Sequence, residues 1–233
     1  MSVKALVFDV FGTVVDWRSS IIEEFQAYGR RKGIAIDWEA FVDEWKTSYR
    51  PGMDAVREGQ WPWTNVEGIY RRKLDELLAR HRIELSDAEK TELTAAWQRL
   101  KPWPDVVSGL TRLKSKYVLS TLSNGDVAGL VNMAKYAALP WDCILCAELF
   151  RHYKPDPEVY CGAIALLGCK PQEVMLVAAH NYDLRAARSH GMRTAFVARP
   201  REYGVAQTSD LKAEENWDVI AKDFEQLAGA MET

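Results

Sequence analysis

Residues 3–16 read VKALVFDVFGTVVD. The run Val3 to Phe8 is apolar and rich in branched and aromatic side chains, the pattern of a short strand buried on both faces. It runs straight into a carboxylate, Asp9, and two residues later into an aromatic ring, Phe11, ahead of Gly12-Thr13. A buried strand that delivers one acid to its carboxyl end is how an open parallel sheet presents a reactive group to a crevice.

Working outward, residues 18–99 show helical periodicity in SSIIEEFQAYGRRKG, DWEAFVDEWKTSY, NVEGIYRRKLDELLARHRI and DAEKTELTAAWQRL, several preceded by Ser or Asp of the capping type. RPGMDAVREGQWPWTN, between two of them, reads as a Pro- and Trp-bearing loop. From residue 100 the pattern alternates. PDVVSGLTRLKSK is helical, YVLSTLSN a strand, VAGLVNMAKYAAL helical and CILCAEL a strand. EVYCGAIALLG is helical, EVMLVAAH a strand, YDLRAARSHG helical and TAFVA a strand. An acidic helix, EENWDVIAKDFEQLAG, closes the chain. Strands alternating with helices imply an α/β fold, a Rossmann-like parallel sheet wrapped on both faces. The expected organisation is a core of residues 1–16 and 100–233 with an all-helical cap, residues 17–99, inserted after the first strand.

The chain has 233 residues, enough for a sizeable core, and a formal net charge of -3 with no basic stripe, which disfavours a nucleic-acid partner. No apolar stretch is long enough to span a bilayer, and the N-terminus enters a strand without signal-peptide features, so no membrane association and a cytoplasmic location are expected. Four cysteines are too few for a disulfide framework at this size. His81, His152 and His190 are not spaced with acids as metal ligands would be.

The carboxyl-end rule for parallel sheets collects Asp9, Ser123-Asn124 after YVLSTL, Lys154 in RHYKPDPEVY, and His180 to Asp183 after EVMLVAA. Together they offer a nucleophile, hydrogen-bonding side chains, a cation and a second carboxylate.

These segments resemble the haloacid dehalogenase superfamily: Asp9 in D-x-x-G-T-x-x-D, Ser123 in the Ser/Thr motif, Lys154 in K-P-D-P, and Asp183 ending the fourth motif. The helical insert matches the cap that many members carry. Most members are phosphatases with D-x-D at the opening and G-D-x-x-x-D at the fourth motif, holding Mg²⁺. Here Phe11 and Ala179 stand at two of those acidic positions. Magnesium wants hard oxygen ligands in near-ideal octahedral geometry, so both departures weaken a metal site. Halide leaves as a stable anion and needs no general acid. The pattern D-x-[aromatic]-G-T is similar to the type II 2-haloacid dehalogenases, the branch that uses no metal or other cofactor.

That resemblance implies attack by Asp9 on the halogen-bearing carbon of a small halogenated carboxylic acid, then hydrolysis of the aspartyl ester. It implies that Lys154 keeps Asp9 ionised, Thr13 and Asn124 position it, Phe11 walls the pocket, and Ser123 holds the substrate carboxylate. Asp183 would orient Lys154 and water, and Tyr160 would contact Asp183 or the pocket wall. Many members of the branch are homodimers. Two positions depart from it. The usual S-S-N-x-W-D is AAHNYD here, putting His180 on the Asn position, as a base or a hydrogen-bond donor to the ester. The cap Arg that meets the halide appears as Trp45-Lys46, with Arg50 one turn on; Lys46 and Arg50 share a helix face, and Arg50 is preferred. Trp61 and Trp63 are expected to line the substrate entrance, and Trp45 and Trp97 to be core. A Mg²⁺-dependent phosphatase and an inactive binding domain are the competing classes.

Overall fold

The structure is a computed structural model that describes residues 2–231. Its elements, in chain order, begin with β1 (Ala5–Phe8) and β2 (Val15–Asp16), followed by the helices α1 (Trp17–Lys32), α2 (Trp38–Arg57), α3 (Val66–Arg80) and α4 (Asp87–Thr94). A 3-10 turn, Ala95–Gln98, leads to β3 (Lys101–Pro102), α5 (Val106–Lys114), β4 (Val118–Ser123), α6 (Val127–Tyr136) and β5 (Cys143–Cys146). Then come α7 (Ala147–Phe150), α8 (Pro157–Leu166), a 3-10 turn Pro171–Glu173, β6 (Val174–Ala178), α9 (Asn181–Ser189), β7 (Arg193–Val197), β8 (Val219–Ala221) and α10 (Phe224–Ala230).

Six strands form one parallel sheet in the order β5-β4-β1-β6-β7-β8. β1 is central, and its alternating side chains supply both faces: Leu6 and Phe8 join one apolar cluster, Val7 the other. Phe8 pairs with Thr121 on one side and Val177 on the other, so Asp9 emerges between the carboxyl ends of β4 and β6, its N–H donating to the Val177 carbonyl at 3.0 Å. That is the point where chain order reverses across the sheet and ligands gather.

β2 and β3 pair antiparallel, Val15 with Pro102 and Asp16 with Lys101, so the helical insert leaves and rejoins the sheet through one short two-stranded stem. Its helices start where the polar residues say they should. Asp16, Asp37 and Asn65 each accept from a backbone N–H three residues on, at 3.0 Å, and Ser86 with Glu89 forms a capping box. Trp45 and Trp97 are buried, as their helical spacing implies.

Two segments differ from the sequence expectation. The stretch read as a loop from Arg50 is helical through Arg57, with Pro51 inside α2. Proline forgoes one helical hydrogen bond, but Trp45, Tyr49 and Met53 continue one packed stripe across it, and that tertiary packing sustains the helix. The closing segment is not one helix: Val219–Ala221 forms the edge strand β8 before Asp223 caps α10, accepting from Gln226 N–H at 2.7 Å. All four cysteines are free. Among the described residues, no helix is long and apolar enough to cross a membrane.

Candidate active site

Four loops at the carboxyl ends of the strands and one face of α2 enclose a cavity of about 410 Å³, in the size range of small-molecule sites. Asp9, Phe11, Ser123, Asn124, Lys154 and His180 line it from the sheet side, and Lys46, Tyr49, Arg50, Met53 and Arg57 from α2. Glu202 and Tyr203, from the irregular segment between β7 and β8, complete the wall.

Asp9 is the hub. Its Oδ1 accepts from Lys154 Nζ at 2.9 Å; its Oδ2 accepts from Thr13 Oγ1 at 2.7 Å and lies 2.9 Å from His180 Nδ1. Thr13 Oγ1 in turn accepts from Ala179 N–H at 2.9 Å, which points its hydroxyl hydrogen at Asp9. Lys154 reaches past Asp9 to Asp183, whose other oxygen accepts from Tyr160 at 2.5 Å. Asp183 and Tyr160 therefore stand behind the lysine and do not line the cavity. Asn124 grips the backbone of Lys154: it accepts from that residue's N–H at 2.6 Å and donates to its carbonyl at 3.1 Å. The Ser123 hydroxyl is fully buried at the cavity wall with no hydrogen-bond partner among the described residues.

The second ring nitrogen of His180, Nε2, lies 2.8 Å from Glu202 Oε2, and Trp17 Nε1 donates to Glu202 Oε1 at 3.0 Å. Gly12 makes this approach feasible. Its φ is +90°, and a Cβ there would collide with the Glu202 carboxylate.

Burial alone would raise the pKa of Asp9, but the ammonium of Lys154 and the His180 ring outweigh it and hold the carboxylate far below its ordinary range. Burial would discharge Lys154, and Asp183 and Asp9 overcome that, pushing it up. For His180, burial is again overcome, by the Glu202 and Asp9 charges, so its pKa lies well above the ordinary 6.5 and the ring is an imidazolium donating from both nitrogens at neutral pH.

The α2 wall is different. Lys46 Nζ sits 4.7 Å from the ring centre of Tyr49, 5.2 Å from Trp17, 5.5 Å from Trp97 and 5.7 Å from Phe11, a cage of π faces. Burial lowers its pKa, against the pull of Glu202 and Asp9. Arg50 is exposed at the mouth of the same cavity. Trp61 lies elsewhere: its ring packs on Gly52 and beneath the Arg72 guanidinium at 3.8 Å, away from the cavity. Trp63 stacks on Tyr153 at 4.9 Å. Because α2 runs on through residue 57, these two tryptophans fall beyond its end and pack elsewhere, Trp61 within the insert and Trp63 on Tyr153 of the core, so neither lines the cavity.

Mg²⁺ does not fit the donor set. The two carboxylates that could share it, Asp9 and Asp183, are already bridged by the Lys154 ammonium, and a ring and a methyl group stand at 11 and 179.

A family model for haloacid dehalogenase-like hydrolases matches residues 3–191. The chain belongs to that family. Within it the chain falls in the L-2-haloacid, or type II, branch. It is 30% identical to (S)-2-haloacid dehalogenase 4A of Burkholderia cepacia over 97% of this chain and 99% of that protein. A crystal structure of an L-2-haloacid dehalogenase superposes with a TM-score of 0.97 at 50% identity, covering 99% of both chains. That of a defluorinating L-2-haloacid dehalogenase gives 0.96 at 43% identity, over 99% of this chain and 96% of the other.

Glu202, Tyr49, Met53 and Arg57 were outside the sequence expectation. A usable signal existed for Glu202: the carboxyl-end rule that collected the other loops, applied to TAFVA, leads straight into RPREY, whose Glu202 lies four residues past Ala198.

Proposed function

We propose that this dehalogenase-family chain hydrolyses short 2-haloalkanoic acids of S configuration to 2-hydroxy acids, without a metal, through an ester on Asp9. The carrying observation is the Asp9 carboxylate itself, ionised by Lys154 and aimed at a cavity whose far wall is a caged cation. The enantiomer follows the (S)-2-haloacid dehalogenases it resembles.

In the first half-reaction, Asp9 Oδ1, which engages Lys154 alone, attacks C2. The C–O bond forms as the C–halogen bond breaks, and halide departs with the electron pair toward Lys46. The unpartnered hydroxyl of Ser123, beside Asn124, receives the substrate carboxylate. Preorganised donors and cations at the place where charge develops are the largest catalytic term such a site can supply.

In the second half, water attacks Cγ of the ester. Oδ2 becomes the oxyanion, and it already faces Thr13 Oγ1 and His180 Nδ1. Both nitrogens of His180 are engaged as donors, which favours the hydrogen-bonding role for this histidine over that of base. Glu202, on the cavity wall, takes the water's proton. The tetrahedral adduct then collapses as its bond from Cγ to Oδ1 breaks, and the departing alkoxide takes the proton held by Glu202. The 2-hydroxy acid leaves, and Asp9, having released its remaining carboxyl proton to solvent, is regenerated as a carboxylate.

Halide release from chloroacetate and from each enantiomer of 2-chloropropionate, with EDTA or Mg²⁺ present, tests the reading, with p-nitrophenyl phosphate as the control substrate. EDTA-insensitive halide release from the S enantiomer, lost by a factor of about 10⁴ in Asp9→Asn, is expected. Mg²⁺-dependent phosphate release instead would sink it.

A further inference from the structure

α2 carries two kinds of contact. Its middle holds Lys46 and Tyr49 over Asp9, and its C-terminal end sets Met53 against Asn124 and Arg57 against the segment that bears Lys154. The Arg57 guanidinium is fully forked. Nη1 donates to Asp54 at 2.9 Å in its own helix, and Nε lies 3.0 and 3.3 Å from the two oxygens of Asp156. Nη2 donates to the carbonyls of Tyr153 at 3.1 Å and Lys154 at 3.2 Å. Tyr153 strengthens the same seam, since its hydroxyl donates to the Thr64 carbonyl in the insert while its ring stacks on Trp63. The peptide of Lys154 is thus gripped from the core by Asn124 and from the insert by Arg57, and both donors meet on one carbonyl oxygen.

We infer that Arg57 is a positioning residue: by holding the 153–154 carbonyls it sets the place of the Lys154 ammonium, and so ties the seating of the helical insert to the ionisation of Asp9. A guanidinium paired with Asp156 alone, at 27% side-chain exposure, would be an ordinary surface ion pair of little value. What sets this one apart is its two neutral acceptors, the carbonyls on either side of the peptide that ends in the catalytic lysine. A guanidinium has five N–H donors in a fixed fork and meets Asp54, Asp156 and both carbonyls at once; an ammonium has three donors and cannot meet all four. The Lys154 ammonium must meet Asp9 and Asp183 at once, so a displacement of its backbone is transmitted directly to the nucleophile. Without the Arg57 contacts, Asn124 alone retains the lysine peptide, and Asp9 loses part of the charge that keeps it ionised.

The inference rests on Asp9 and Lys154 acting as proposed above, so Lys154→Met is measured alongside. The experiment compares kcat, KM, the acid limb of the kcat/KM profile and the melting temperature for Arg57→Met and Arg57→Lys, with chloroacetate as substrate. Arg57→Met is expected to lose about 10²-fold, the scale of a 1 Å misplacement, mainly in kcat, and to bring an acid limb up into the measurable range. Arg57→Lys is expected to keep the Asp156 pair and the parental melting temperature yet recover only part of the activity. Parental kcat and a parental pH profile in both variants, with Lys154→Met inactive, would overturn the positioning role while leaving the mechanism standing. Full activity in Lys154→Met would overturn both. A melting temperature that falls with no change in the pH profile assigns Arg57 to packing and overturns the inference.

Discussion

On the sheet side of the cavity every buried charge faces an opposite one: Asp9 meets Lys154 and His180, Lys154 meets Asp183, and His180 meets Glu202. On the α2 side Lys46 has no carboxylate within ion-pair distance among the described residues, and four aromatic rings surround it instead. Paired charges in a dry wall stabilise one charge state and one geometry. A cation held by π faces stays available to an anion that arrives later. The first wall suits a nucleophile that must be ionised before substrate binds, and the second suits a receptor for halide that exists only after the bond breaks.

The comparison breaks first at the His180–Glu202 pair. Glu202→Gln removes the charge that holds the imidazolium and the proposed acceptor of the water's proton, so turnover is expected to fall by about 10³-fold, within the range for losing a general base. The ester on Asp9 should then accumulate, read by mass spectrometry of the intact protein after a single addition of chloroacetate. The pH dependence carries a second signature. A raised histidine pKa keeps the charged form through neutral pH, and its contribution is lost only as pH rises through that raised value. Without Glu202 this point moves down, and activity should begin to decline nearer neutrality. An ester-free protein with a parental pH profile would return Glu202 to a purely structural role.

The α2 wall is tested by Lys46. Lys46→Met is expected to lower halide release by about 10²-fold, the scale of removing one preorganised donor. Arg50→Met, which alters only the exposed mouth, should lower it less than tenfold. The reverse ranking would restore Arg50 as the halide contact. Lys46→Arg should retain most activity, because a guanidinium also stacks well on aromatic faces.

The two walls were unequally legible in the sequence. Asp9 and Ser123 end apolar runs, and Lys154 and Asp183 lie in the segments that follow CILC and EVMLVAA, so a rule about strand ends finds them without knowing any contact. The α2 wall depended on how far one helix continues. Pro51 is a local stop signal, and only the packing of Trp45, Tyr49 and Met53 overrides it, which is why Met53 and Arg57 were read as loop and Trp61 was assigned to an entrance it does not reach. Glu202 sits in a segment with no periodicity, and its role arises from the space that Gly12 leaves, a relation between residues 190 positions apart in the chain. The strand β8 was masked by acidic helix-forming neighbours on both sides.

The smallest expected effect concerns a carboxylate treated in the opposite way to Asp9. Asp126, at the start of α6, is buried at the seam between sheet and insert, where it accepts from the Glu67 N–H at 3.0 Å. No ammonium faces it. Burial, with the Glu67 and Glu148 charges adding to it and the Glu67 N–H bond opposing, pushes its pKa up to about 6. An acid whose folded pKa is raised binds its proton more tightly when folded, so this site favours the folded state most below the ordinary carboxylate pKa, and that advantage is lost as pH rises from about 4 to about 6. The gap from the ordinary value, about 2 pH units, corresponds to about 3 kcal/mol at neutral pH, an upper figure since the seam can relax. Asp126→Asn keeps the acceptor for Glu67 N–H and removes the charge. It is expected to stabilise the protein by about 2 kcal/mol at neutral pH and by nothing measurable near pH 4, in denaturant titrations at the two pH values, with kcat unchanged. A variant destabilised at neutral pH would show that the ionised Asp126 carboxylate stabilises the seam, and the contrast between the two carboxylates would fail.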